Sequence, residues 1–175
     1  MKTTILLDAA AIDRAVTRMA HEIVENNPQI DALAFIGIRT HGVPLARRLA
    51  AKAGEICGRT IPVGELDISM HRDDLDLRDA PPAVGASHIT FDVTDKTILL
   101  VDDVLFKGRT IRAAMDELND FGRPQCIQLA VLVDRGHREL PIRADFVGKN
   151  APTAFDQQVK VFLGEVDGKD EVILQ

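Results

Sequence analysis

Three apolar runs, at 32–38, 97–101 and 127–133, constrain this chain more than any other feature. Short runs that are apolar throughout are typical of strands buried on both faces of a parallel sheet. Amphipathic helical patterns alternate with them, at 8–26, at about 43–56 and between Gly108 and Gly122. This alternation predicts an α/β fold in which a mostly parallel, twisted sheet is flanked by helices.

Weaker patterns complete the predicted fold. Residues 64–69 and 144–147 are predicted to be two further strands, and 159–174 a C-terminal β-hairpin with an Asp-Gly turn. The segment at about 70–90 is charged and then interrupted by prolines, which favours a flexible functional flap. No linker or repeat divides the chain, so we predict one domain over residues 1–175.

Composition excludes several classes of protein. The chain has 175 residues and a net charge of −6, which argues against coating nucleic acid by charge alone. No apolar stretch approaches the roughly 18 residues that a membrane span needs. The two cysteines, Cys57 and Cys126, are far apart in the sequence and form no metal or disulfide motif, so a reducing cytoplasm is predicted.

Each of the three apolar runs is followed by a polar loop. The first loop is 39–42 (RTHG), the second is 102–110 (DDVLFKGRT) and the third begins at 134 (DRGH). Because ligands of parallel sheets bind beyond the carboxyl ends of the strands, these loops predict the rim of an active site.

The second loop has the features of a site for a phosphorylated sugar. Two adjacent acids, Asp102 and Asp103, follow a buried strand, and Gly108 opens a helix. Free amide groups at a helix N-terminus bind anions, and a glycine lets the backbone approach a phosphate closely. The carboxylates precede the anion site, where they would reach sugar hydroxyls. The Walker A pattern is absent.

Residues 98–110 resemble the 5-phosphoribosyl 1-pyrophosphate (PRPP) signature of the type I phosphoribosyltransferases. Further segments, at 37–49, 67–75, 101–118 and 122–150, resemble a subfamily, the bifunctional pyrimidine operon attenuation regulators and uracil phosphoribosyltransferases (PyrR). The sequence VDRGHRELPIRAD at 133–145 is specific to that subfamily. The resemblance covers nearly the whole chain and implies the type I phosphoribosyltransferase fold.

The resemblance implies the transfer of a ribose phosphate from PRPP to uracil, giving UMP and diphosphate with Mg²⁺. The ion would be held mainly by substrate diphosphate and water, with no dedicated protein ligands. The implied catalytic residues are Asp102, Asp103, Arg39 and Arg72, the last in the flap. The resemblance implies that diphosphate is bound by Arg39, Thr40, His41 and Gly42, and ribose by Asp102 and Asp103. The 5′-phosphate would be surrounded by Val104, Leu105, Phe106, Lys107, Gly108, Arg109 and Thr110. Uracil would lie near Asp134, Arg135 and Val147.

The same resemblance implies a second role, the binding of pyrimidine-operon mRNA leaders in response to uridine nucleotides such as UMP and UTP. One polar flank of the first helix is the expected RNA surface, together with the third loop; its residues are Arg14, Thr17, Arg18, His21, His137 and Arg138. A homodimer or higher oligomer is expected. The alternative is a phosphoribosyltransferase without RNA regulation, possibly acting on another base. Two residues depart from the family pattern: Lys107 replaces a hydroxyl residue and His71 a tyrosine.

Overall fold

The computed structural model describes residues 3–69 and 86–175 and confirms the α/β prediction. A five-stranded, entirely parallel sheet has the order β3-β2-β4-β5-β6, and a three-stranded antiparallel sheet has the order β1-β8-β7. In chain order the elements are β1 (Thr4–Asp8), α1 (Ala9–Asn26), β2 (Leu33–Ile38), α2 (Gly42–Cys57), β3 (Val63–Leu66), β4 (Thr97–Leu105), α3 (Arg109–Leu118), β5 (Cys126–Asp134), β6 (Phe146–Asn150), β7 (Val159–Phe162), α4 (Gly164–Asp167) and β8 (Glu171–Leu174).

The central strands are apolar on both faces because each face is covered. Alternate residues of β4 point to opposite sides, so that Leu99 packs among residues of α1 and α2 whereas Leu100 packs against α3. Every residue of β2 is buried. Because β2, β4 and β5 are parallel neighbours, their carboxyl ends lie at one edge of the sheet.

The first helix begins where the sequence predicts it. Asp8 is its N-cap, and the Asp8 carboxylate accepts a hydrogen bond of 2.8 Å from the amide of Ala11. The strand before it, β1, is absent from the sequence prediction. It is stabilised by β8, with Thr4 opposite Leu174 at the far end of the chain. A strand whose partner is so distant in sequence leaves no local turn signal.

Two sequence predictions are wrong in detail. The hairpin has no two-residue Asp-Gly turn: β7 ends at Phe162, and the connection contains the single helical turn α4, which Gly168 terminates in the left-handed conformation. The third predicted strand, 97–101, is too short. Strand β4 continues to Leu105 because β5 is equally long and pairs with it up to Asp134. The acidic pair therefore lies in a strand and not in a loop.

Part of the predicted flap, including His71 and Arg72, lies outside the described residues. The assignment of one domain to the whole chain stays a prediction. No helix in the described ranges is both long and apolar enough to cross a bilayer.

Candidate active site

The acidic pair is fixed by its own backbone. Asp102 is only 7% exposed, and its Oδ1 accepts a hydrogen bond of 2.9 Å from the amide of Asp103. Oδ1 of Asp103 accepts one of 2.7 Å from the amide of Val104. These short contacts with the neighbouring amides orient both carboxylates. The side chain of Asp103 is about a quarter exposed and faces the first loop.

The phosphate loop, Phe106 to Gly108, joins the acidic pair to α3. Gly108 has a φ of 94° and precedes the first helical residue, Arg109. This left-handed conformation favours glycine, and the first amides of α3 have no intrahelical partners. A glycine thus opens the helix as the sequence predicts, and the binding of a phosphate there stays a prediction.

Two cations beside this loop are paired with one carboxylate. Nζ of Lys107 lies 2.7 Å from Glu139, and Nε of Arg109 lies 2.8 Å from the same side chain. Hydrogen bonds from Lys107, and then from Arg109, lower the pKa of the Glu139 carboxyl. Lys107 Nζ also lies 5.4 Å from the ring centre of Phe155. The ammonium of Lys107 is thus held on the third loop.

The first loop, 39–42, packs against the acidic pair; it is called the diphosphate loop after the role that the resemblance implies. Gly42 is in very close contact with β4, since a Cβ at this position would lie 2.4 Å from the backbone oxygen of Val101. The peptide bond between Arg39 and Thr40 is cis. The guanidinium of Arg39 donates to Glu65 over 2.9 Å, and Arg47 donates to the same carboxylate.

The side chain of His41, in the diphosphate loop, lies between two carboxylates. Its Nδ1 lies 3.5 Å from Oδ2 of Asp103, and its Nε2 lies 2.9 Å from Oδ2 of Asp167. Asp167 ends α4, which the sequence prediction treated only as part of a turn. The histidine therefore joins the diphosphate loop to both the acidic pair and the C-terminal region.

The third loop contains two arginines that hold the backbone. Arg135 is 6% exposed; it donates to Thr153 and Ala154 and lies 4.0 Å from the ring centre of Phe106. Desolvation by burial lowers the pKa of its guanidinium. Arg138 donates to the backbone oxygens of Phe106, Gly136 and Ile142 and to the carboxylate of Asp134. Both side chains thus tie neighbouring loops together.

His137 on the third loop and Phe155 in the connection between β6 and β7 form an exposed aromatic surface. The His137 ring lies edge-on to Phe106 and Phe155, at 5.9 and 5.6 Å, and bonds to the oxygen of Thr153. Phe155 is 65% exposed. The sequence analysis did not select Phe155, because its loop has no periodicity and its partners are distant in sequence.

The predicted RNA flank lies on α1, which packs on β6. Arg14, Arg18 and His21 are exposed. Arg18 is not a free cation: it pairs with Glu22 and donates to the backbone oxygens of Val147 and Gly148, at 3.2 and 2.6 Å. It therefore links the flank to the segment predicted to lie near uracil.

The structure thus brings the diphosphate loop, the acidic pair, the phosphate loop and the third loop to one edge of the sheet. Backbone hydrogen bonds join the last two, from Arg135 to Leu105 and from Glu139 to Lys107. Arg72 lies outside the described residues. Sequence reasoning missed Glu139 and Asp167, whose contacts depend on distant parts of the chain.

Comparison with known proteins agrees with this fold. The family model of the phosphoribosyl transferase domain matches residues 2–163. In solved structures, the fold is similar to a hypoxanthine-guanine phosphoribosyltransferase from Bacillus anthracis (TM-score 0.72, 15% identity, 98% of this chain and 97% of that one). It is also similar to the hypoxanthine phosphoribosyltransferase of Trypanosoma cruzi (TM-score 0.73, 15% identity, 98% and 95%). The chain is therefore a member of the phosphoribosyltransferase domain family.

Closer relatives define the subfamily. "Bifunctional protein PyrR" of Roseiflexus sp. (strain RS-1) is 59% identical over 93% of this chain and 89% of that protein. The protein of the same name from Geobacter sulfurreducens is 54% identical over 98% of this chain and 97% of its own length. The chain belongs to the PyrR family.

Proposed function

We propose that this protein transfers the phosphoribosyl group of PRPP to uracil and that it also binds pyrimidine-operon mRNA leaders under the control of uridine nucleotides. The observation that supports transfer most directly is the acidic pair in front of the glycine-opened helix. The PyrR relatives, more than half identical over nearly the whole chain, support the choice of uracil and the second role. A cytoplasmic homodimer is part of the same proposal.

In the proposed reaction, N1 of uracil forms a bond to C1′ of the ribose. The bond from C1′ to the diphosphate oxygen breaks, its electron pair leaves with diphosphate, and the N1 proton passes to diphosphate or water. Asp102 and Asp103 accept hydrogen bonds from the ribose hydroxyls. The amides of the phosphate loop bind the 5′-phosphate, and the diphosphate loop holds the leaving group. The chain acts by positioning and by stabilising charge, and no nucleophilic side chain is required.

Mg²⁺ fits this site as a companion of PRPP. Such an ion binds through few carboxylates plus substrate phosphates and keeps several waters. Within 3–69 and 86–175, no group of three or more His, Cys, Asp and Glu side chains is arranged to hold a metal. As the resemblance implies, we assign the ion mainly to diphosphate oxygens and water, where it would neutralise charge on the leaving group.

A panel of bases tests the enzymatic proposal. Purified protein is incubated with PRPP, Mg²⁺ and one of uracil, cytosine, hypoxanthine, guanine or adenine, and diphosphate release is measured. We expect release with uracil and the formation of UMP. Release only with a purine would contradict the choice of base. No release with any base would contradict the reaction.

The RNA proposal is best tested on residues without a second structural role. Arg18 is a poor choice because it also holds the backbone of β6. Arg14 and His21 are exposed on the same flank. If Arg14 contacts a phosphate, Arg14→Ala should weaken binding and reduce the slope of log K against log salt by about one.

The assay is filter binding of a pyrimidine leader RNA across a salt titration, with and without UMP. The matched control is Arg112→Ala, which removes an exposed arginine from α3 on the opposite side of the sheet. We expect UMP to change the affinity of the wild type, Arg14→Ala to lower it, and the control to leave it unchanged. Equal binding by the wild type and by Arg14→Ala and His21→Ala variants would exclude this flank.

A further inference from the structure

His41 of the diphosphate loop contacts a second carboxylate, that of Asp167, in addition to Asp103. Oδ2 of Asp167 lies 2.9 Å from Nε2 of His41 and also accepts a hydrogen bond of 2.8 Å from the amide of Leu163. That amide, more than any other group, lowers the pKa of the Asp167 carboxyl. Asp167 is therefore a carboxylate at neutral pH and can only accept hydrogen bonds.

An acceptor at Asp167 determines the orientation of the ring. Nε2 of His41 must donate, so a neutral ring has its proton on Nε2 and presents the lone pair of Nδ1 to Asp103, 3.5 Å away. The hydrogen bond from Nε2 to Asp167 therefore holds the ring beside the acidic pair.

The turn that contains Asp167 is itself anchored. Arg48 of α2 donates to Glu165 over 2.8 Å and makes two further hydrogen bonds of 2.8 Å to Asp170. These bonds raise the pKa of the Arg48 guanidinium, and they fasten the turn to the helix that begins at the diphosphate loop. The position of Asp167 is thus fixed relative to His41 by a separate contact.

We infer that Asp167 is a positioning residue for PRPP, which acts by holding His41 of the diphosphate loop beside the ribose-binding Asp103. The inference rests on the proposed function only in naming PRPP as the ligand. Asp167 touches neither the ribose nor the phosphate in this scheme. Its effect on substrate passes through the imidazole, whose Nδ1 lies 3.5 Å from Asp103.

The primary test is PRPP binding by calorimetry with Mg²⁺. Asp167→Ala should weaken binding roughly threefold to tenfold, since it removes one charge-assisted hydrogen bond at a partly exposed position. Asp167→Asn keeps an oxygen for Nε2 and for Leu163, and should restore most of the affinity. The control is Glu165→Ala in the same turn, which removes a carboxylate but leaves both bonds from Arg48 to Asp170 and the His41 contact in place, and should change affinity less than twofold.

Two further measurements separate positioning from a structural role. In a double-mutant cycle, Asp167→Ala should add little to the effect of His41→Ala, because both remove one interaction. The ring ¹⁵N signals of His41, assigned by their absence from His41→Gln, should move in Asp167→Ala but not in Glu165→Ala. Melting temperatures of all variants show whether each remains folded.

Additive effects in the cycle, or His41 signals that do not change in Asp167→Ala, would overturn the inference and leave Asp167 as a cap for Leu163. The proposed reaction is tested separately, by diphosphate release with the panel of bases. If the wild type binds PRPP but transfers to no base, the reaction fails. The comparison of PRPP affinities then still decides the role of Asp167.

Discussion

The phosphate loop and the C-terminal turn border the same site but are held in different ways. In the stretch from Asp102 to Gly108, each carboxylate accepts a hydrogen bond from the next amide, and one glycine supplies the turn. The turn from Leu163 to Asp170 depends on Arg48 and His41, which are 117 and 126 residues from their partners Glu165 and Asp167. The glycine turn and the amide contacts of the acidic pair are therefore encoded locally, whereas the second region is held by pairs of distant charges.

The largest expected effect comes from the locally encoded region. Asp102→Asn or Asp103→Asn keeps an oxygen for the neighbouring amide but loses the charge that we propose binds a ribose hydroxyl. We expect kcat/KM for phosphoribosyl transfer to fall about 10- to 150-fold, as for the loss of a charged hydrogen bond, with little change in Tm. Initial rates and thermal denaturation measure the two effects. Wild-type rates in both variants would refute the assignment.

The next effect is steric. In Gly42→Ala, the new Cβ would lie 2.4 Å from the backbone oxygen of Val101, so the diphosphate loop must move away from the acidic pair. We expect kcat/KM for PRPP to fall about tenfold, since displacements of this kind are costly in catalysis. Gly58→Ala, whose Cβ meets nothing within 4 Å but whose φ is positive, controls for backbone strain. Equal activity of Gly42→Ala and wild type would show that the close contact is unimportant.

Breaking the C-terminal turn should affect stability more than chemistry. Arg48→Ala removes the partner of Glu165 and Asp170, and we expect unfolding to become easier by about 1–2 kcal/mol. For a chain of this size, each kcal/mol lowers Tm by about 2–4 °C. Uracil transfer should fall less than threefold if Asp167 keeps its place.

The pH dependence of this stability difference follows from the carboxyls. Hydrogen bonds from Arg48 lower the pKa of Glu165 and of Asp170 from their ordinary values of 4.5 and 3.8. A lowered folded-state pKa stabilises the fold above the ordinary value, and that stability is lost as the pH falls through the folded-state value. The difference between wild type and Arg48→Ala should therefore be full at pH 7 and shrink below about pH 4.5. A constant difference down to pH 3 would contradict this account.

The smallest effect concerns Lys107. Its ammonium is bound to Glu139, 2.7 Å away, so we expect Lys107→Ala to change the KM for PRPP less than twofold at physiological salt. Titrating KM at low and high ionic strength tests this. A large rise in KM that disappears at high salt would show that the ammonium attracts the phosphate directly.

The features that sequence analysis predicts well are those with a local cause. The buried strands, the N-cap at Asp8 and the helix opened by Gly108 follow from patterns within a few residues, and the structure confirms them. The acidic pair belongs to the same class, although β4 extends beyond the predicted strand because β5 pairs with it. The structure does not test the roles of these residues, which stay predictions.

What sequence analysis misses depends on distant partners. Strand β1 pairs with β8 from the other end of the described chain, and His41 meets Asp167 only after the chain has folded. A histidine in a polar loop predicts substrate contact, and an Asp-Gly pair predicts a turn. Neither pattern predicts that His41 and Asp167 contact each other. Arg18 shows the same limit: its helical position predicts an exposed cation, whereas the fold supplies two carbonyl acceptors from β6.

The pairing of β1 with β8 has a consequence for synthesis on the ribosome. Translation adds roughly 5–20 residues per second, so β1 has no partner for on the order of 10–30 s, until β8 has been translated. During that time its edge is open to other strands and to chaperones. The contact between His41 and Asp167 also forms late, so the diphosphate loop acquires its final neighbour only when translation of this region ends. Nascent chains should bind PRPP less tightly than the finished protein.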